Sequence, residues 1–300
     1  MMDAVIPWGR WVGVIEPFYY HNRVGRPAVP LATMLRLYLV ACWFSLSDEA
    51  AEDACYDSLA VRAFTGIDVG AGRAPDATTL CGFRRLLAEH ALGEALMAEQ
   101  NRVFEERGWI MRGGTVVDAT IIGAAASVKN ADAARDPAMH QTRKGRQWYF
   151  GMKARTGVDA GSGYVHSLAV TAANVSDVEE AAGLVRPDDE VVWADAGYAG
   201  VGRREEVAGD PHLSRVEWRV AARKGRLGLL HPHERALESR LASVRAKVEH
   251  PYLIVKRDFG FAKTRYRGLA KNLQHLGVLF ASANWLMRAR AEAIMAGARG

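Results

Sequence analysis

The chain has 300 residues, 49% hydrophobic and 24% charged, an ordinary globular composition with room for two domains. A chain this long buries about three quarters of its unfolded surface unaided, and Cys42, Cys55 and Cys81 are too few and too scattered for a disulfide framework or a zinc site. Disorder, collagen-like repeats and a disulfide scaffold are excluded, and the cysteines read as buried thiols of a reducing compartment.

The net charge of +5 is unevenly spread. Residues 1–110 carry 10 basic and 14 acidic side chains, residues 111–200 carry 9 and 11, and residues 201–300 carry 20 and 9. Such a basic block suits a polyanion, nucleic acid above all, or else a solvated surface. The longest apolar run, Leu37–Leu46, is too short to span a bilayer and lies between Arg36 and Asp48. No basic segment followed by an apolar one marks a signal peptide, so the expected place is the cytoplasm.

In chain order, residues 28–108 read as helices. Pro30-Leu31 opens one, with Leu31, Met34, Leu35, Tyr38, Leu39 and Cys42 at helical spacing. Ser47-Asp48 caps a second that runs towards Phe64. Asp76 caps a third with Leu80, Phe83, Leu86 and Leu87 on one face, where Arg84 and Arg85 face DNA or water. A fourth runs from Leu92 to Arg107 and stops near Gly108. At Gly113-Gly114 the pattern changes. Thr115–Asp118 and Thr120–Ile122 are strand-like, 123–146 reads as a loop, and Gln147–Val158 and Tyr164–Thr171 form a hairpin. Asp177 caps a short helix to Val185. Glu190–Asp195 is a buried strand, followed by a glycine turn and a helix through Val207, and Val216–Ala222 is another strand. A long helix runs from His233 through Glu249 with a break at Pro251, and a last helix covers Leu269–Ala296. The expected architecture is α+β: an all-helical domain over 1–110, placed to bind DNA, then over 111–300 a mixed sheet flanked by helices, in the order of a ribonuclease H-like fold.

Three acids stand out. Asp118 interrupts a strand, where aspartate is disfavoured. Asp195 ends a buried strand, where open sheets bind ligands. Glu249 lies on a helix near the basic region. Converging carboxylates suit Mg²⁺, and two such ions can hydrolyse a phosphodiester. The alternative is structural: Asp118 in a buried hydrogen bond, Asp195 as a helix cap, Glu249 paired with Arg245. On an unbroken helix Arg245, Glu249 and Lys256 share one face, a pattern that suits either a metal-and-phosphate site or an ion-pair ladder. Aromatic residues lie among the cations: Trp148 and Tyr149, then Tyr252, Phe259, Phe261 and Tyr266. Such mixtures grip phosphates and stack on bases, but core packing is the expected role of each, Trp148 included. His140 and His250 read as structural.

The order and spacing of several motifs resemble the IS5 family of bacterial insertion-sequence transposases, within the IS4-like group. These are Gly25-Arg26-Pro27, Pro75–Leu80 and Phe83-Arg84; Val117–Ile122; Asp136–Thr142; Trp148–Lys153; Ala173–Asp177; Asp195–Gly200; Val248–Pro251; and Tyr266–Asn272. The resemblance implies a catalytic, metal-binding triad of Asp118, Asp195 and Glu249. Arg245, Glu249 and Lys256 fit the family's third-acid signature, with Ala242 where relatives have tyrosine. Ala125 and Ala126 replace a proline and a serine common in relatives. It further implies two Mg²⁺, with Mn²⁺ able to substitute, hydrolysis at each transposon end, and joining of the 3′-hydroxyl to target DNA. Partners would be double-stranded DNA and at least one further copy of the chain, on the nucleoid. Arg245 and Lys256 would hold phosphates at the cut. Lys129, Arg143, Lys144, Arg146, Lys153, Lys263, Arg265, Arg267 and Lys271 would touch the backbone. A non-cleaving DNA-binding derivative and a ribonuclease H-like nuclease are the alternatives.

Overall fold

Side-chain caps mark the starts of three consecutive helices in the computed structural model, which describes residues 1–20, 28–129, 133–223, 225 and 231–297. The helices are α1 (Met2–Val5), α2 (Trp8–Ile15), α3 (Leu31–Trp43), α4 (Asp48–Asp57), α5 (Leu59–Thr65), α6 (Ala77–Glu89) and α7 (Leu92–Glu106). Ser47 Oγ accepts from the Ala50 N–H at 3.1 Å and Asp76 Oδ1 from the Thr79 N–H at 2.7 Å, as the sequence suggests. The helix expected from Ser47 to Phe64 is in fact two. Ser58 turns extended, ends α4, and caps α5 by accepting from the Val61 N–H. Arg84 is half-buried and grips Asp48 with two hydrogen bonds, 2.5 and 2.7 Å, tying α6 to α4. Cys42 and Cys55 are buried, but Cys81 is exposed, one residue past the buried Leu80 on the outer side of α6. The Gly25-Arg26-Pro27 motif lies outside the described residues.

The chain divides into two compact units along lines other than a cut at residue 110. One comprises Met1–Gln100, Ile254–Phe261 and the chain from Gln274 onward; the other comprises Asn101–Leu253 and Ala262–Leu273. The reason lies in the last helix, α11 (Leu269–Gly297). Its residues Leu276, Val278, Leu279, Phe280 and Trp285 are fully buried. Two glycines let it approach the start of α7 closely. A Cβ on Gly93 would stand 2.0 Å from Gln274 O, and one on Gly277 would stand 2.7 Å from Gly93 O. Asn284 Nδ2 donates to Gln100 Oε1 at 2.7 Å, pairing two buried amides. Among the described residues no helix is long and apolar enough to cross a membrane.

Among the described residues the second unit is built on six strands: β1 (Thr115–Gly123), β2 (His140–Lys144), β3 (Gln147–Asp159), β4 (Val165–Ala172), β5 (Val191–Ala194) and β6 (Glu217–Val220). The order is β2-β3-β1-β5-β6, with β4 also on β3. β1 is antiparallel to β3 and parallel to β5, and β6 is parallel to β5. β2 lies within the span expected to be a loop. The expected helix to Val185 is two 3₁₀ turns, Asp177–Glu180 and Ala182–Leu184, and Ser176, not Asp177, makes the capping box with Glu179. After Gly200 there is only a 3₁₀ turn and the four-residue α8 (Glu205–Ala208). Val117, Val192, Ala194 and Tyr198 pack with Leu184, Val201 and Val207 in one buried cluster. This is the helix-flanked mixed sheet of a ribonuclease H-like domain.

At the first residue of β1 the fold closes a polar network. Arg186 Nη2 donates to Asp159 Oδ2 and to Asp189 Oδ1, both at 3.2 Å. Thr115 Oγ1 and the Arg186 N–H both donate to Asp189 Oδ2. Ser162 donates to Asp159 Oδ1 through its N–H and its hydroxyl.

Candidate active site

Register brings the first two acids together. β1 and β5 run parallel with Val117 opposite Ala194. Asp118 and Asp195 are each the next residue, on strands about 4.8 Å apart. The valines before Asp118 are buried, so the strand is fixed by its apolar side while the carboxyl stays half-buried. Asp195 also caps the following 3₁₀ turn, accepting from the Gly197 N–H at 2.7 Å. Gly197 leaves room for that carboxylate: a Cβ would stand 2.9 Å from Asp195 Oδ1 and 3.8 Å from Asp177 Oδ2.

Burial pushes the Asp118 carboxyl up to about 6, and the charge of Asp195 adds to the rise. The Ala119 N–H, Arg245 and Lys144 pull it back. A carboxyl whose proton affinity is raised by burial and by a neighbouring acid suits a divalent cation, whose charge would relieve the crowding of negative charge.

The surroundings are rigid. Tyr252 OH donates to Asp118 O at 2.9 Å and accepts from Thr156 Oγ1 at 2.9 Å. Tyr198 is buried with its hydroxyl unpartnered among the described residues, and burial and the charges of Asp177, Asp118 and Asp195 all oppose its ionisation. Asp177 receives Lys153 Nζ at 2.9 Å and lies 3.4 Å from Arg155 Nη2. Arg155, fully buried on β3, also donates to Thr171 Oγ1 and to the carbonyls of Val175 and Ser176. Lys153 was expected at a DNA phosphate. It lies instead in this internal cluster, donating also to Val175 O at 2.9 Å.

The third acid stands apart. Glu249 is exposed at the first residue of α10 (Glu249–Leu253). Among the described residues no three His, Cys, Asp or Glu side chains are grouped to hold a metal ion. The continuous helix assumed from His233 does not exist. α9 (Pro232–Arg245) gives way to a 3₁₀ turn over Ala246–Val248, then α10, then a π-helical turn over Ile254–Asp258. These windings differ in residues per turn, so Arg245, Glu249 and Lys256 do not share one α-helical face. Pro251 is not the break but lies buried inside α10. The alternative pairing of Glu249 with Arg245 is not found among the described residues either. Lys256 is half-buried and belongs to the helical unit. Beside Asp195 is a cavity of about 480 Å³ walled by Arg235, Glu238, Ser239, Ala242 and Arg245. Ala242 lies in its wall.

The remaining cations are spread over the second unit. Arg143, Lys144 and Arg146 are exposed at the turn joining β2 to β3, and Trp148 beside them is 63% exposed. A core role for Trp148 is therefore excluded: its strand pairs at the sheet's edge, opposite Arg143. Lys129, Lys263, Arg265, Arg267 and Lys271 are exposed, as are His140 and His250. Tyr252, Phe259 and Phe261 are buried, as their spacing suggests. Sequence reasoning gave no role to Tyr198 or Arg155 and only a packing role to Tyr252. Only Tyr198 carried a signal, through its place three residues after Asp195.

Paired acids on adjoining parallel strands of such a sheet are the arrangement of a metal-dependent phosphodiester-cutting enzyme. The model of the transposase DDE domain matches residues 109–285, and a second transposase domain model matches residues 1–86. The chain belongs to the transposase DDE domain family, whose members cut DNA and transfer strands with divalent metal ions. It is an insertion-sequence DDE transposase. No solved structure matches it.

Proposed function

We propose that this transposase is of the IS5 type, binds the terminal inverted repeats of its element, cuts there, and joins the freed 3′-hydroxyls to target DNA. The observation that supports it most is that Asp118 on β1 and Asp195, one residue past β5, directly follow the paired Val117 and Ala194, with Asp118 raised towards neutrality by its surroundings. Asp118 and Asp195 would hold Mg²⁺, or Mn²⁺ in its place, with Glu249 joining them from the start of α10 once DNA is engaged. Two bound ions would supply the charge that activates water and stabilises the leaving oxygen.

The protein's own residues do the rest. Tyr252 and Thr156 fix the backbone at Asp118, and Gly197 fixes the carboxylate of Asp195. Arg245 and Lys144, within electrostatic reach of Asp118, would steady the scissile phosphate, with Lys256 as a further phosphate contact. Arg143, Arg146, Lys129, Lys263, Arg265, Arg267 and Lys271 would contact the backbone, with Trp148 available to stack on a base. Backbone contacts position DNA without reading its sequence, so recognition of the repeat falls to the first helices. Two ends cut together call for at least a dimer on DNA, working at the nucleoid.

The test is Mg²⁺-dependent cleavage of a duplex carrying the flanking repeat, with Glu249→Gln beside the wild type. Cutting by the wild type, with binding but no cutting by the variant, supports the reading. Binding by both with cutting by neither overturns it in favour of a non-cleaving derivative.

A further inference from the structure

The 3₁₀ turn just before Glu249 carries a lysine that has no part in the chemistry above. Lys247 is half-buried. Its Nζ donates to Ala160 O at 2.6 Å and to Gly161 O at 2.8 Å. It meets no carboxylate among the described residues. An ammonium held by two neutral carbonyls joins backbone to backbone without cancelling any charge. Lys247 therefore works as a tether between the turn and the sheet.

The carbonyls it holds belong to a fixed base. They open the turn from β3 to β4, where the Ala160 N–H donates to Gly114 O at 2.9 Å and the Gly163 N–H donates to Asp159 O at 2.8 Å. Asp159 is locked in turn by Ser162 and Arg186. A second tether follows at Tyr252, whose hydroxyl joins Asp118 O to Thr156 Oγ1. Asp118 and Thr156 are partners across β1 and β3. The chain from 247 to 252 is thus tied beside Gly114 at one end and beside Asp118 at the other. Val248, Pro251 and Tyr252 are its buried residues, and Glu249 stands exposed between the two ties. Held at both ends, the segment cannot slide along the sheet. The Glu249 backbone then has one place relative to Asp118, and only its side chain is left to turn. A ligand whose support is loosened by about 1 Å serves poorly.

We propose that Lys247 is a positioning residue, which sets where the third acid stands by tying its turn to the Ala160 and Gly161 carbonyls. The proposal rests on the reading of Glu249 as a metal ligand and adds to it the residue that holds that ligand in place.

The experiment measures binding of Mn²⁺ to the full chain on a duplex already cut at the repeat, from the electron paramagnetic resonance of the free ion. Cleavage and binding of the uncut duplex are followed beside it. Wild type, Lys247→Met, Lys247→Arg, Glu249→Gln and the double variant Lys247→Met with Glu249→Gln are compared, and circular dichroism and thermal unfolding verify their fold. Lys247→Met keeps the apolar stem and removes both donors. It is expected to bind Mn²⁺ about tenfold more weakly and to cut more slowly at saturating duplex, with duplex affinity unchanged. Lys247→Arg, which can still donate to both carbonyls, is expected to restore most of each. On top of Glu249→Gln, Lys247→Met should weaken Mn²⁺ binding no further, since both act through one carboxylate. Should Lys247→Met misfold, Lys247→Gln, which keeps a donor, decides by the same comparison. A lower unfolding temperature with Mn²⁺ affinity at the wild-type value would make the tether structural only and overturn the proposal. Weaker duplex binding with a log–log salt slope shallower by about 0.9 would make Lys247 a phosphate contact and overturn it equally. If Glu249→Gln binds Mn²⁺ as the wild type does, the third acid is no ligand and the proposal falls while Asp118 and Asp195 keep their roles. If the wild type neither binds nor cuts a duplex, the transposase reading itself has failed.

Discussion

Two groups of acids lie along the same strand, and the sheet treats them in opposite ways. At Thr115, burial alone would raise Asp159, but the Ser162 N–H and hydroxyl and the Arg186 guanidinium outweigh it and hold the carboxyl below its usual value. His166 on β4 is pushed down to about 3 by burial and by Arg186, so it stays a neutral member of that network. Three residues further along, Asp118 is pushed up to about 6, and its neighbouring acid Asp195 turns one oxygen to a backbone N–H. The first group is neutralised from within. The second retains negative charge that the fold does not cancel, which is where a cationic ligand gains most.

Exchanging charge for neutrality tests that contrast. Asp118→Asn should lower strand cleavage by about 10³-fold or more and leave the fold intact, checked by a cleavage assay beside thermal unfolding. Arg186→Ala should do the reverse. It strands two buried carboxylates and should cost about 3–5 kcal/mol in urea unfolding, with activity lost only as the protein unfolds. Gly197→Ala would crowd the Asp195 carboxylate and should slow cleavage about 10-fold or more for little change in melting temperature. Thr115→Val removes one donor to Asp189 and should cost about 1 kcal/mol.

The pH dependence should have opposite signs in metal-free buffer. Asp118 titrates near 3.8 unfolded and about 6 folded. Relative to its asparagine variant, the wild type is therefore least stable above pH 6 and draws level below pH 3.8. Asp159 is held below 3.8, so its contribution is present above that value and lost as pH falls through the lower folded one. Asp159→Asn should destabilise at neutral pH and progressively less in acid. Urea midpoints across that range check both signs, and the same sign for both would abolish the contrast.

What could be read from the amino-acid order was mostly local. Asp76 and Ser47 announce helix starts because a cap needs only its next three residues. The alternation after Gln147 announces the hairpin, and the acids at 118 and 195 stand out against valine and tryptophan neighbours. Ser58 is the same kind of cap as Ser47, one helix later, but lies inside a continuous helical pattern that hides it. β2 was not legible, since His140–Lys144 has no apolar alternation and is a strand only because β3 pairs with it. The change of winding at Ala246–Val248 has no local marker either, and Pro251 drew the break to the wrong place. Tyr252 reaches Asp118 across 134 residues, a contact that spacing cannot announce. The cavity at Ala242 likewise exists only once α9 has met β5 and β6.

The return of α11 to the helical unit has a consequence for synthesis. A ribosome adds roughly 5–20 residues each second. The whole sheet from β1 to β6 therefore leaves it before Leu276, Phe280 and Trp285 can fill the space beside α3 and α7. For those seconds the nascent chain carries a helical unit without its central column, whose apolar walls stand open to water and to chaperones. Completion of that unit would then come only after the whole sheet has been made, and a chain stopped short of α11 would be a target for proteolysis rather than a partly working enzyme.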